Sequence, residues 1–146
     1  MRQTVVRLLA LLPLLCLLAG CSPPTSIGTN ESQAEPVGAV QVTDDRGQPR
    51  VSAAWIDPST IAVTTWGSSS CPTRPVKIER TTESEVEVRV QRTDDGGDCD
   101  ADIAPTTNEV DLPSGVSTAA PLDVVVHVGE GPIPRLTLRP PPDGTS

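Results

Sequence analysis

The chain of 146 residues contains no phenylalanine and no tyrosine, and its only aromatic side chains are Trp55 and Trp66. Aromatic rings are the platforms on which bases and sugar rings usually stack, so their scarcity disfavours nucleic-acid and carbohydrate binding. It also means that a core has to be built from Val, Ile, Leu and Ala. The sequence leaves open which tryptophan belongs to that core.

Basic residues are few as well, eleven against nineteen acidic ones. Residues 1–20 contain two of the arginines and no acid, so the other 126 residues carry a net charge of −10. Such a chain is repelled by nucleic-acid phosphates and anionic lipid headgroups, and no Lys/Arg cluster offsets this. We therefore expect no nucleic-acid partner, and 126 residues correspond to one domain.

The N-terminus has the layout of a secretory signal. Arg2 and Arg7 precede an apolar run of eleven residues, LLALLPLLCLL at positions 8–18. A stable transmembrane span needs roughly twenty apolar residues, so this run is too short. Residues 1–20 are predicted to be a signal peptide.

Leu18-Ala19-Gly20-Cys21 follows the apolar run and resembles the lipobox of bacterial lipoproteins. The resemblance implies that the mature chain starts at Cys21 and that its sulfur carries a diacylglyceryl group. Two acyl chains, at about 0.8 kcal/mol per buried methylene, hold a protein firmly on a membrane. Because Ser22 follows, the aspartate that retains some lipoproteins at an inner membrane is absent. The expected location is the outer face of the cell membrane; an ordinary secreted protein is the alternative.

Two cysteines remain for a disulfide. Cys16 would be lost with the signal and Cys21 taken by lipid, which leaves Cys71 and Cys99. In an oxidising extracytoplasmic compartment we expect these two to be bonded, closing a loop worth roughly 3.5 kcal/mol of stability. The alternative, that the two thiols bind a metal ion, lacks the further Cys or His ligands of a structural site.

The remaining chain divides into a linker, a domain and a tail. Residues 21–37 are rich in Pro, Ser, Thr, Asn and Glu, and such a segment cannot bury enough surface to offset its ordering entropy. Residues 140–146 are predicted to be a disordered tail. Between them, residues 38–139 alternate apolar and polar side chains, most clearly where Val86, Val88 and Val90 share one face.

This alternation recurs in about eight short segments bounded by turn residues, with no sustained helical period. The segments are GAVQVT, VSAAWID, TIAVTTW, PVKIERT, SEVEVRVQR, NEVDLP, LDVVVHV and PRLTLR. Half-apolar sheets must cover each other, so we expect an all-β fold, an antiparallel β-sandwich of immunoglobulin-like type with seven to eight strands. A small β-barrel is the alternative, because periodicity alone does not separate the two.

Three stretches resemble small actinobacterial secreted lipoproteins that combine a lipobox, a Pro/Thr-rich tether and a one-disulfide β-domain. They are WGSSSCP at 66–72, CDAD at 99–102, and the run from Pro105 to Leu112-Pro113. The resemblance covers about residues 51–138. It supports the disulfide and the location, but that family carries no assigned activity.

The stretch DDGGDCDADIAPTTNE at 94–109 spaces acids as an EF-hand calcium loop does, at Asp98, Asp100, Asp102 and Glu109. Ile103 occupies the position that must be Gly, and Pro105 cannot donate the backbone hydrogen bond required two residues later. The principal interpretation is a solvated loop around Cys99. The alternative is a weaker cation site built from Asp94, Asp95, Asp98, Asp100 and Asp102.

No catalytic residues are predicted. The stretch GSSSC departs from the G-x-S-x-G motif at Cys71, and the single histidine, His127, alternates with valines as an outward-facing strand residue. Nothing places two carboxylates across a cleft. The expected function is a non-enzymatic, membrane-anchored interaction or envelope module with no cofactor and an envelope protein as partner. The alternative is a solute- or cation-binding accessory lipoprotein that uses the loop 94–102.

Overall fold

The computed structural model describes residues 31–32, 35–93, 97–129 and 134–141. Nine strands form in them: β1 (Glu31–Ser32), β2 (Val40–Thr43), β3 (Pro49–Asp57), β4 (Thr60–Gly67), β5 (Thr73–Thr82), β6 (Glu85–Arg92), β7 (Ala104–Asp111), β8 (Leu122–Val128) and β9 (Arg135–Leu138). Within these ranges no helix is long and apolar enough to span a membrane. The predicted signal peptide and Cys21 lie outside the described residues.

The strands form two separate sheets. One has five strands in the order β1-β7-β4-β3-β2, and the other has four in the order β5-β6-β8-β9. Two packed sheets confirm the predicted β-sandwich and not its alternative, the small barrel. The sequence does not predict β1, which lies within the predicted linker and pairs Glu31 with Asn108 and Ser32 with Thr107.

One pairing differs from the antiparallel arrangement expected from the sequence. β6 and β8 run parallel, with Glu85 opposite Asp123 and Val90 opposite Val128. Antiparallel neighbours can be joined by a tight turn, whereas parallel neighbours need a longer crossover. Here the chain leaves β6, forms β7 in the other sheet and returns through residues 112–121 to start β8 at the same end as β6.

The core lies between the sheets and consists of aliphatic side chains. Val86, Val88 and Val90 point into it, as the alternation in β6 predicts. Trp55 packs against this core, and its indole Nε1 donates a hydrogen bond to the Arg139 carbonyl at 2.7 Å. Trp55 is therefore the tryptophan that belongs to the core, a choice that the sequence left open.

Strands β3 and β4 of the five-stranded sheet are buried on both faces over residues 51–54 and 60–65. On the face away from the core, Ser52, Ala54, Ala62 and Thr64 are at most 5% exposed. Thr64 shares a hydroxyl hydrogen bond of 2.7 Å with Thr107 on β7. Ser52 Oγ, by contrast, has no hydrogen-bond partner in the described part of the chain. A buried hydroxyl in that state carries an uncompensated desolvation cost.

Strand direction sorts the connections to two ends of the sandwich. The β2–β3, β4–β5, β6–β7 and β8–β9 connections lie at one end, which we call the disulfide end because it contains Cys71 and Cys99. The β3–β4 and β5–β6 turns and residues 112–121 lie at the opposite end. β1 is antiparallel to β7, which starts at the disulfide end, so β1 runs towards that end.

Candidate functional site

A disulfide organises the loops at one end of the sandwich. Cys71, just before β5, and Cys99, between β6 and β7, are bonded with their Cα atoms 5.5 Å apart. This confirms the predicted pairing. The bond ties a connection between the two sheets to a second such connection, so it fixes both loops where the sheets meet.

Two hydrogen bonds next to the disulfide join the same two loops. The backbone N–H of Ser69 donates to Asp102 Oδ1 at 3.0 Å, and the N–H of Asp100 donates to Ser70 Oγ at 2.8 Å. Residues 68–71 form a turn, in which the backbone N–H of Cys71 donates to the Ser68 carbonyl at 3.3 Å. The serines that suggested a nucleophile motif are therefore partners of the acidic loop.

These contacts change the acidity of one carboxyl group. Hydrogen bonds from the Ser69 hydroxyl, and then from its backbone N–H, hold the pKa of Asp102 below its ordinary value of 3.8. Hydrogen bonds to a carboxylate favour its charged form. Asp102 therefore acts as an ionised structural group that holds the serine turn.

The described residues of the acidic loop do not converge on one point. Asp98, Asp100 and Asp102 are exposed, and no cluster of three or more His, Cys, Asp or Glu side chains able to hold a metal ion occurs in the described ranges. Glu109, the last EF-hand position, lies within β7 opposite Ala62. Asp94 and Asp95 fall outside the described residues. The cation site at Asp94, Asp95, Asp98, Asp100 and Asp102 stays a prediction. One of its members, Asp102, already accepts a hydrogen bond from the backbone of Ser69.

Beside these loops lies a feature that the sequence does not predict, which we call the Trp66 groove. It consists of two adjoining hollows of about 270 and 550 Å³ that share Trp66 and Val128. Ile103 lines the first hollow and Arg92 the second, and Arg46 and Arg50 also line the first. These residues are far apart in the sequence, so only the strand order brings them together.

The histidine lies elsewhere, on the outer face of the four-stranded sheet. His127 Nε2 is 3.1 Å from Glu87 Oε2, and Lys77, Glu79 and Arg89 surround the pair. This agrees with the prediction of an outward-facing strand residue. The imidazole contacts a carboxylate on the neighbouring strand β6, whereas Ser69 and Ser70 bond to the acidic loop.

No family model, curated protein or solved structure matches this chain. Its function has to be inferred from its own residues.

Proposed function

We propose that the protein is a lipid-anchored extracytoplasmic β-sandwich that works as a non-enzymatic interaction module of the cell envelope. The observation that carries the proposal is the order of features at the N-terminus: two arginines, an apolar run and then Leu-Ala-Gly-Cys ending at Cys21. The disulfide between Cys71 and Cys99 supports it, because such bonds persist in oxidising compartments.

The topology suggests which end faces outward. Only nine residues separate Cys21 from Glu31 at the start of β1. β1 runs towards the disulfide end, so its first residue, Glu31, lies nearer the opposite end than Ser32 does. An anchor at Cys21 would hold the opposite end near the membrane and present the loops of the disulfide end to other molecules. Binding residues commonly occupy such clustered loops on a rigid sandwich.

The groups that could suggest catalysis have structural partners. Ser69 and Ser70 bond to the acidic loop, and His127 contacts Glu87 on the outer sheet face. A nucleophilic serine needs a base within hydrogen-bond reach. The contacts favour an interaction role over hydrolysis by these residues.

The lipid anchor is tested by replacing Cys21. Cells producing the wild-type chain, Cys21→Ala or Cys16→Ala would be labelled with radioactive palmitate and fractionated. We expect label and membrane association for the wild type and for Cys16→Ala, which keeps the lipobox intact. Cys21→Ala should be unlabelled and leave the membrane fraction after cleavage or remain as an unlipidated precursor. A Cys21→Ala chain that still carries palmitate would overturn the proposal.

A further inference from the structure

The Trp66 groove contains apolar side chains that solvent can reach. Trp66 is half-buried, Ile103 is 68% exposed, and Val128, which also lines the groove, packs against the core. Trp55, in contrast, is packed against the core. A large aromatic next to an exposed aliphatic side chain in a concave surface is the composition typical of protein-interaction hot spots.

The charged side chains that line the groove are mainly basic, although the protein is strongly acidic. Arg46, Arg50 and Arg92 line the groove, three of the nine basic residues in 21–146. Among the described residues, neither Arg46 nor Arg50 forms an ion pair. Asp44 lines the same hollow, and its Oδ1 accepts the backbone N–H groups of Arg46 and Gln48, each at 2.9 Å. Two guanidinium groups are therefore available for an incoming anion.

Arginine suits a carboxylate partner better than lysine would. The planar guanidinium donates two parallel hydrogen bonds to a carboxylate and also stacks on aromatic faces. At physiological ionic strength the Debye length is about 8 Å. Salt therefore weakens the repulsion between an acidic ligand and acids elsewhere on the surface more than it weakens an ion pair whose partners are in direct contact. An acidic ligand is therefore compatible with the net charge of −10.

We propose that the Trp66 groove binds an extended segment of another envelope protein in which a carboxylate side chain neighbours a large apolar one. The apolar side chain would pack on Trp66 and Ile103, and the carboxylate would pair with Arg50, with Arg46 lining the same hollow. Two open hollows in a row suit an extended peptide, whereas small-molecule sites enclose most of their ligand. The envelope origin of the partner rests on the proposed function; the chemistry of recognition does not.

The test uses a displayed library of random dodecapeptides, selected on the protein purified from the envelope. We expect enrichment of peptides that place Asp or Glu next to a large apolar residue. Arg50→Glu should weaken their binding roughly tenfold or more, as expected when one partner of a close charge pair is reversed. Arg139→Glu, at the opposite end, is the matched control and should bind like the wild type.

Folding of the variants is checked by the indole N–H resonances. The chain has two, and the Trp55 signal reports the hydrogen bond to Arg139. It should be unchanged in Arg50→Glu and in Trp66→Leu, while the Trp66 signal should shift in the wild type on addition of a selected peptide. No enriched peptide, or equal binding by Arg50→Glu and the wild type, would overturn the inference. Failure of palmitate labelling would overturn only the anchor.

Discussion

The backbone N–H of Ser69 donates to the carboxylate of Asp102 across 3.0 Å, and this bond links the two loops that the Cys71–Cys99 disulfide joins covalently. The acidic loop, whose acid spacing resembles a calcium loop, therefore has a structural role: its contact with Ser69 holds the two loops together, and we call this contact the brace. Asp102 holds the serine turn at residues 68–71 in place. Gly67 and Ser68, at the start of that turn, line the Trp66 groove.

The brace predicts an acid-sensitive contribution to stability. Because hydrogen bonds from Ser69 lower the pKa of Asp102 in the folded state, the stabilisation is present above 3.8 and is lost as pH falls through the folded pKa. Asp102→Asn should unfold at lower urea than the wild type at neutral pH and lose less stability on acidification to about pH 2. Asp98→Asn is the control, because Asp98 lies on the same loop and forms no hydrogen bond or ion pair in the described part of the chain, so it should behave like the wild type. Equal acid sensitivity of wild type and Asp102→Asn would contradict the brace.

The disulfide predicts a large response to reduction. Cys71 and Cys99 are 28 residues apart, and opening a loop of that size costs roughly 3.5 kcal/mol in the chain-entropy model. Urea unfolding with and without dithiothreitol should show this difference in the wild type and none in the Cys71→Ser, Cys99→Ser double variant. Two free thiols at these positions in protein taken from the envelope would refute the bond.

The strands were predictable because their signals are local. Val86, Val88 and Val90 alternate with charged residues at the period of a strand, and the burial of all three confirms that pattern. The disulfide followed from elimination, since the other two cysteines, Cys16 and Cys21, had other assignments.

The arrangement of the strands was not predictable from such signals. The parallel pairing of β6 with β8 depends on which sheet each strand joins, and alternation carries no information about that. For the same reason the sequence did not place Trp55 in the core and Trp66 in a groove, nor group Arg46 with Arg92. Those relationships are set by contacts between distant parts of the chain.

A buried hydroxyl predicts a stabilising substitution. Ser52 Oγ is fully buried and has no described hydrogen-bond partner, so Ser52→Ala should raise the free energy of unfolding by up to about 1 kcal/mol. Thr64→Val on the neighbouring strand removes a hydroxyl that bonds Thr107 and should cost roughly 1–2 kcal/mol. Chemical denaturation measures both, and a loss of stability in Ser52→Ala would show that its hydroxyl is satisfied.

Calcium should leave the protein unchanged. Asp102 is engaged by Ser69, and the other described acids of the loop do not form a metal cluster. Thermal unfolding in millimolar calcium should therefore match unfolding in chelator, since only an ion that binds the folded state raises its melting temperature. A saturable rise that disappears in Asp98→Asn would establish the alternative cation-binding function.

The anchor at Cys21 can be identified by mass spectrometry of the N-terminal peptide of protein extracted from the envelope. We expect a peptide that begins at Cys21, with a diacylglyceryl group on its sulfur. A peptide that begins at another residue, or that contains Cys21 as a free thiol, would contradict the anchor.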